Sequence, residues 1–129
     1  SNFVPVTLGD HHWLIFNAAQ RLVNCCVRLG DVLGSIRALK QVIASASKIL
    51  PENEPEIGNY LAHLAEGVAQ LEKQGKLGRQ ALQPYVELRR ESLQKALKIR
   101  TIALGAEHFL TKDSRNLVAT STTAATSSK

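Results

Sequence analysis

The sequence predicts an all-α fold of antiparallel helix–turn–helix pairs, a short α-solenoid or bundle, and three observations predict it. Apolar residues recur at steps of 3 and 4 through every periodic segment, the spacing of one helix face. Gly30, Pro51, Gly75 and Gly105 punctuate those segments where helices should stop. Aromatics make up only 5% of the 129 residues, so Leu, Ala, Ile and Val must supply a core of closely approaching helices.

The first helix is expected from about Asp10, a natural N-cap, to Leu29, with Leu14, Ala18, Leu22, Cys25 and Leu29 as its inward stripe. The second spans about Val32 to Leu50, with Ile36, Leu39, Ile43, Ala46 and Leu50 on one face, and Pro51 limits it. The third, from about Glu54 to Gln74, has the clearest pattern. Ile57, Leu61, Leu64, Val68 and Leu71 form its stripe, and Ala62, Ala65 and Ala69 flank it where a neighbour can come close. Pro55 beside Glu54 and Glu56 suits a helix start. The fourth helix is expected from Pro84 or slightly earlier to Leu104, closed by Gly105, and a shorter fifth from Thr111 to Ala119. The domain then covers 10–119, after an extension at 1–9. The last ten residues, TSTTAATSSK, hold seven Ser or Thr and read as a disordered tail over 120–129, with too little apolar surface to offset the entropy of ordering.

The length suits one domain that needs no metal or disulfide staples. Cys25 and Cys26 are helical neighbours pointing in different directions, which a mutual disulfide does not fit. Both are expected as reduced thiols, in keeping with an intracellular protein, cytoplasmic or nuclear. No run of 18 apolar residues is present for a membrane span. The opening Ser1-Asn2-Phe3-Val4-Pro5 has neither a basic-then-apolar leader nor an initiator Met, as expected of a segment of a longer protein. The net charge is +5. Residues 1–64 carry five basic and five acidic side chains, and residues 65–129 carry eleven and six, so the whole excess sits in the second half. That asymmetry admits an acidic partner.

The second and fourth helices repeat each other. Ala38 to Pro55 (ALKQVIASASKILPENEP) aligns without a gap on Ser92 to Phe109 (SLQKALKIRTIALGAEHF), and KLGRQALQ (Lys76 to Gln83) reads as an insertion before the fourth helix. Within Glu91 to Phe109, Ser92-Leu93-Gln94-Lys95-Ala96-Leu97 followed by Leu104-Gly105-Ala106-Glu107-His108 resembles the second helix of long tetratricopeptide repeats. Phe109 stands where those repeats close with Pro. Kinesin light chains use such repeats, and the helix order over residues 12–119 is similar to the C-terminal helical domain of SET-and-MYND lysine methyltransferases. The zinc-binding Cys pairs and cofactor segment of those enzymes are absent from this sequence. The resemblance implies a non-catalytic module that binds protein or peptide, or one that walls a methyltransferase's substrate cleft. It also implies a helix-ending role for His108.

For such repeats the first helices line the binding side, which nominates Asn17, Gln20, Arg21, Asn24 and His63 as a partner-binding groove. The two-carboxylate clamp of some repeats needs Lys and Asn ten and six residues before the first turn glycine, and a second Asn six before the next. Here Gln20, Asn24 and Ala69 stand there, so one position of three matches. A second candidate surface is the basic run Arg89, Arg90, Lys95, Lys98 and Arg100 on the fourth helix. No stacking aromatics accompany it, which weighs against nucleic acid. His11 and His12 are adjacent, and His63 and His108 have no ligand spacing, so no metal site is expected. No nucleophile elbow, P-loop, dinucleotide glycine pattern or His-Glu-x-x-His is present, so neither catalytic residues nor a cofactor are expected. Trp13 and Phe16 make the start of the first helix apolar all round, as an interface would.

Overall fold

The computed structural model describes the backbone of residues 8–127 and the side chains of residues 17–120. His11, His12, Trp13, Leu14 and Phe16 therefore lie outside the described side chains, as do those after Thr120. Among the described residues the fold is all-α: α1 (Leu8–Leu29), α2 (Val32–Ile49), α3 (Pro55–Gln74), α4 (Arg79–Leu104) and α5 (Phe109–Ser127). The chain divides into two compact units, Ser1–Glu52 and Asn53–Lys129.

In the first unit α1 packs on α2, and a two-residue connection ends one helix and starts the other. Gly30 takes the left-handed conformation (φ 73°) that lets its own N–H reach the Val27 carbonyl and the Asp31 N–H reach that of Cys26. The Asp31 carboxylate then accepts from the Gly34 amide at 2.9 Å, capping α2. Gly34 is where the helices meet closely. A Cβ there would fall on the Asp31 carboxylate and within 2.8 Å of Cys26 Sγ.

The inward face of α1 differs from the expected one. Ala19 and Cys26 are buried, whereas Ala18, Leu22, Cys25 and Leu29 are exposed. At about 100° per residue the two lines lie about 90° apart on the helix. The cause is the partner helix: small side chains at Ala19 and Cys26 admit the close approach that Leu22 and Leu29 would block. On α2, Ile36, Leu39 and Ala46 are buried as expected, and Val42 rather than Ile43 completes the line.

In the second unit all five stripe residues of α3 are buried, from Ile57 to Leu71. Gly75 (φ 65°) ends the helix. α4 starts five residues before Pro84, so most of the supposed insertion is helix and only Lys76, Leu77 and Gly78 connect. Pro84 is tolerated in the second turn because the Gln80 carbonyl it leaves without a helical donor belongs to an exposed residue. α4 buries Ser92, Leu93, Ala96 and Arg100 between α3 and α5. α5 begins with Phe109 and its backbone runs to Ser127, so Thr120, the start of the Ser/Thr-rich segment, lies within the helix.

The repeat is visible in burial. Ala38 and Ser92, Leu39 and Leu93, Val42 and Ala96, and Ala46 and Arg100 are buried pair by pair along the alignment, and Lys40 and Gln41 in one helix and Gln94, Lys95 and Lys98 in the other are exposed between them. The same register places Pro55, the first residue of α3, on Phe109, the first residue of α5. At a first helical position the backbone N–H has no intrahelical acceptor. Phe can therefore replace Pro there without loss.

Candidate functional site

Asn17, Arg21 and Asn24 are exposed on the side of α1 away from Ala19 and Cys26, and Gln20 is half-buried beside them. These four share one helix. His63 belongs to the second unit, where it is exposed with its Nδ1 3.6 Å from Glu66 Oε2.

The basic run on α4 is not one surface. Lys95 and Lys98 are exposed, and Arg90 pairs with Glu87 one turn before it. Arg89 reaches α3, where its guanidinium holds Glu72 at 2.5 Å with both side chains largely covered. Arg100 must be withdrawn from any exterior face, since it is only 4% exposed. Its guanidinium donates to Asn59 Oδ1 on α3 at 3.1 Å, to Ser114 Oγ on α5 at 2.7 Å and to the Leu110 carbonyl at 3.4 Å. The Thr111 hydroxyl returns a bond to the Arg100 carbonyl. Gly58 makes the room, for a Cβ there would stand 3.3 Å from Ile99 and 3.6 Å from Arg100 Cγ. Arg100 joins three helices through neutral acceptors; its own partners include no carboxylate.

The second unit also holds a pocket of about 210 Å³ between α3, α4 and α5. Ala62, Ala65 and Ala69 form one wall, Leu93 the floor and Leu117 with Thr120 the other wall, while Glu66 and Arg89 supply charge. Arg89 Nε is buried and has no hydrogen-bond partner. The alanine flank was legible as a place of close approach. That it leaves a gap was not, because the gap depends on where α5 comes to lie.

His108 works at the start of α5. Its Nδ1 accepts from the Leu110 amide at 3.1 Å, its carbonyl accepts from Lys112, and its ring stacks on exposed Phe109 with centroids 4.8 Å apart. The expected helix-ending role is therefore corrected: the His108 ring bonds at the start of α5, and α4 closes at Gly105, whose own amide bonds the Thr101 carbonyl.

Cys25 and Cys26 are both free thiols, the first exposed and the second buried. Burial, then the nearby charge of Asp31 and then Cys25, push the Cys26 thiol above its ordinary value of 9.0. Among the described residues no three His, Cys, Asp or Glu side chains cluster as metal ligands, and no helix is long and apolar enough to cross a membrane. Comparison with protein-family models, with curated proteins and with solved structures yields no match.

Proposed function

We propose that this chain is a non-catalytic helical-repeat module that binds another protein or peptide, taking one large side chain of the partner into the pocket between α3, α4 and α5. The pocket carries the reading. A cavity of about 150 Å³ accepts a benzene-sized group, so about 210 Å³ suits one Leu, Ile or Phe anchor. Its wall of alanines offers contact area with almost no side-chain entropy to lose, and anchors of this kind dominate interface energetics. Glu66 and Arg89 on the lining give the anchor's flanking backbone polar partners.

The repeat of α2 in α4 and the closure around Gly105 and His108 support a tetratricopeptide-like ancestry, and with it the narrower alternative of a helical module from a SET-and-MYND lysine methyltransferase. A nucleic-acid role has less behind it. Of the six basic residues on α4, Arg100 is buried and Arg89 and Arg90 are paired with carboxylates, which leaves Arg79, Lys95 and Lys98.

Selection from a displayed peptide library tests the reading. Peptides enriched on the protein should share a single large apolar residue. Ala69→Leu, which fills the pocket from a half-buried position, should abolish their binding while leaving the melting temperature unchanged or raised. Enrichment that survives Ala69→Leu would place the binding elsewhere.

A further inference from the structure

On α1 the stripe that the periodicity assigned to the core faces outward. Leu22 is 50% exposed and Leu29 78%, with Cys25 exposed between them. Steps of 3 and 4 join Leu22, Cys25 and Leu29, the spacing of a helix–helix seam. One edge of this seam is the line of Ala19 and Cys26, already buried. The other edge carries Arg21 and Arg28, about 70–100° round the helix from the centre of the stripe. Both arginines are exposed, and neither has a carboxylate partner among the described residues. From Asn17 to Leu29 the helix holds no acidic residue.

We propose that the outward stripe of α1, Leu22, Cys25 and Leu29 edged by Arg21 and Arg28, is a docking surface for an acidic amphipathic helix of a partner protein. The apolar seam supplies area and the unpaired arginines supply selection, since a carboxylate beside the seam meets a guanidinium where a lysine meets repulsion. A second copy of the chain fits poorly. Antiparallel pairing of two α1 stripes sets Arg21 and Arg28 of one copy against those of the other. Parallel pairing points them at an edge that α2 already covers. The surface lies in the first unit and is independent of the pocket.

The test uses a three-heptad synthetic helix with Leu along its seam and Glu at its flanks, and a twin with Lys in place of Glu. Fluorescence anisotropy should show the Glu peptide binding at least about tenfold more tightly, a difference of about 1.4 kcal/mol. The double variant Arg21→Glu/Arg28→Glu should invert that preference. Leu22→Ser/Leu29→Ser should abolish binding without lowering the melting temperature, and Ala69→Leu should leave it intact. A peptide whose seam Cys carries a 2-thiopyridyl disulfide should exchange with the Cys25 thiol, releasing pyridine-2-thione, and not with Cys26. Equal binding of both peptides, or binding retained by Leu22→Ser/Leu29→Ser, overturns the proposal. So does sedimentation showing the chain paired with itself through this stripe.

Discussion

Ser47 on α2 and Thr101 on α4, 54 residues apart, make the same bond: each hydroxyl donates to the carbonyl four residues before it, at 2.8 and 2.7 Å. Both are exposed, so the likeness is not forced by a shared core. It marks the register in which α2 and α4 repeat each other, and in that register Ala46 and Arg100 share one buried position. One helix fills the place with a methyl group and the other with a guanidinium.

Leu64 sits 2% exposed in the centre of the α3 stripe. Leu64→Ala should cost about 2–5 kcal/mol, the sum of lost transfer energy and an unfilled cavity. The denaturant midpoint of the variant measures it, and an unshifted midpoint would mean the stripe is not packed.

Gly34→Ala should destabilise although alanine normally strengthens a helix interior by about 0.5–1 kcal/mol. The new methyl group displaces the Asp31 carboxylate from its cap on the Gly34 amide and presses on Cys26 Sγ. Loss of the cap costs about 1 kcal/mol, so a net loss of about 1–2 kcal/mol is expected once crowding is included. Urea melts of Gly34→Ala and Asp31→Ala should show losses that do not add, since both remove one cap.

Arg100→Ala should cost about 2–4 kcal/mol, for it opens a cavity and orphans the acceptors on Asn59 and Ser114. Arg100→Met keeps the volume and removes a buried charge whose partners are all neutral. Its cost should stay within about 1.5 kcal/mol. Thermal melts of the two variants side by side decide it, and equal losses would show that the charge itself stabilises the unit.

A thiol reagent should label Cys25 at once and Cys26 only on unfolding. Because the Cys26 thiol is raised in the folded chain, the unfolded state gives up its proton first as pH climbs. The stability that this difference supplies is complete below the ordinary value of 9.0 and falls away above it. Cys26→Ser, which does not titrate there, should flatten the alkaline fall in melting temperature. An unchanged slope would assign that fall to other groups.

The legible parts were those where one pattern stood alone. On α3 only one face is apolar, so its phase and all five inward residues follow from spacing. On α1 apolar residues occur on nearly every side, and the choice fell to whichever line let α2 approach most closely. Small Ala19 and Cys26 won over larger Leu22 and Leu29. Arg100 reads as exterior from the sequence because charge ordinarily stays in water. Its burial depends on Gly58, Asn59 and Ser114, which lie 42, 41 and 14 residues away, and no local periodicity links them. The pocket likewise depends on the placement of α5 against alanines on α3. α4 starts earlier than the sequence indicates, because Pro84 looks like a first-turn residue and is a second-turn one.

The three-helix junction at Arg100 also bears on every arrangement the second unit does not adopt. Aliphatic layers such as Leu64 and Val68 would tolerate a neighbour slipped by one turn, trading one methyl contact for another. The guanidinium would not. Slide α5 along its axis and Ser114 and the Leu110 carbonyl move off, leaving the buried guanidinium with Asn59 as its one remaining partner of the three, an under-satisfied buried charge that is costly. The junction therefore acts chiefly by penalty, adding little to the correct packing and raising the energy of its decoys.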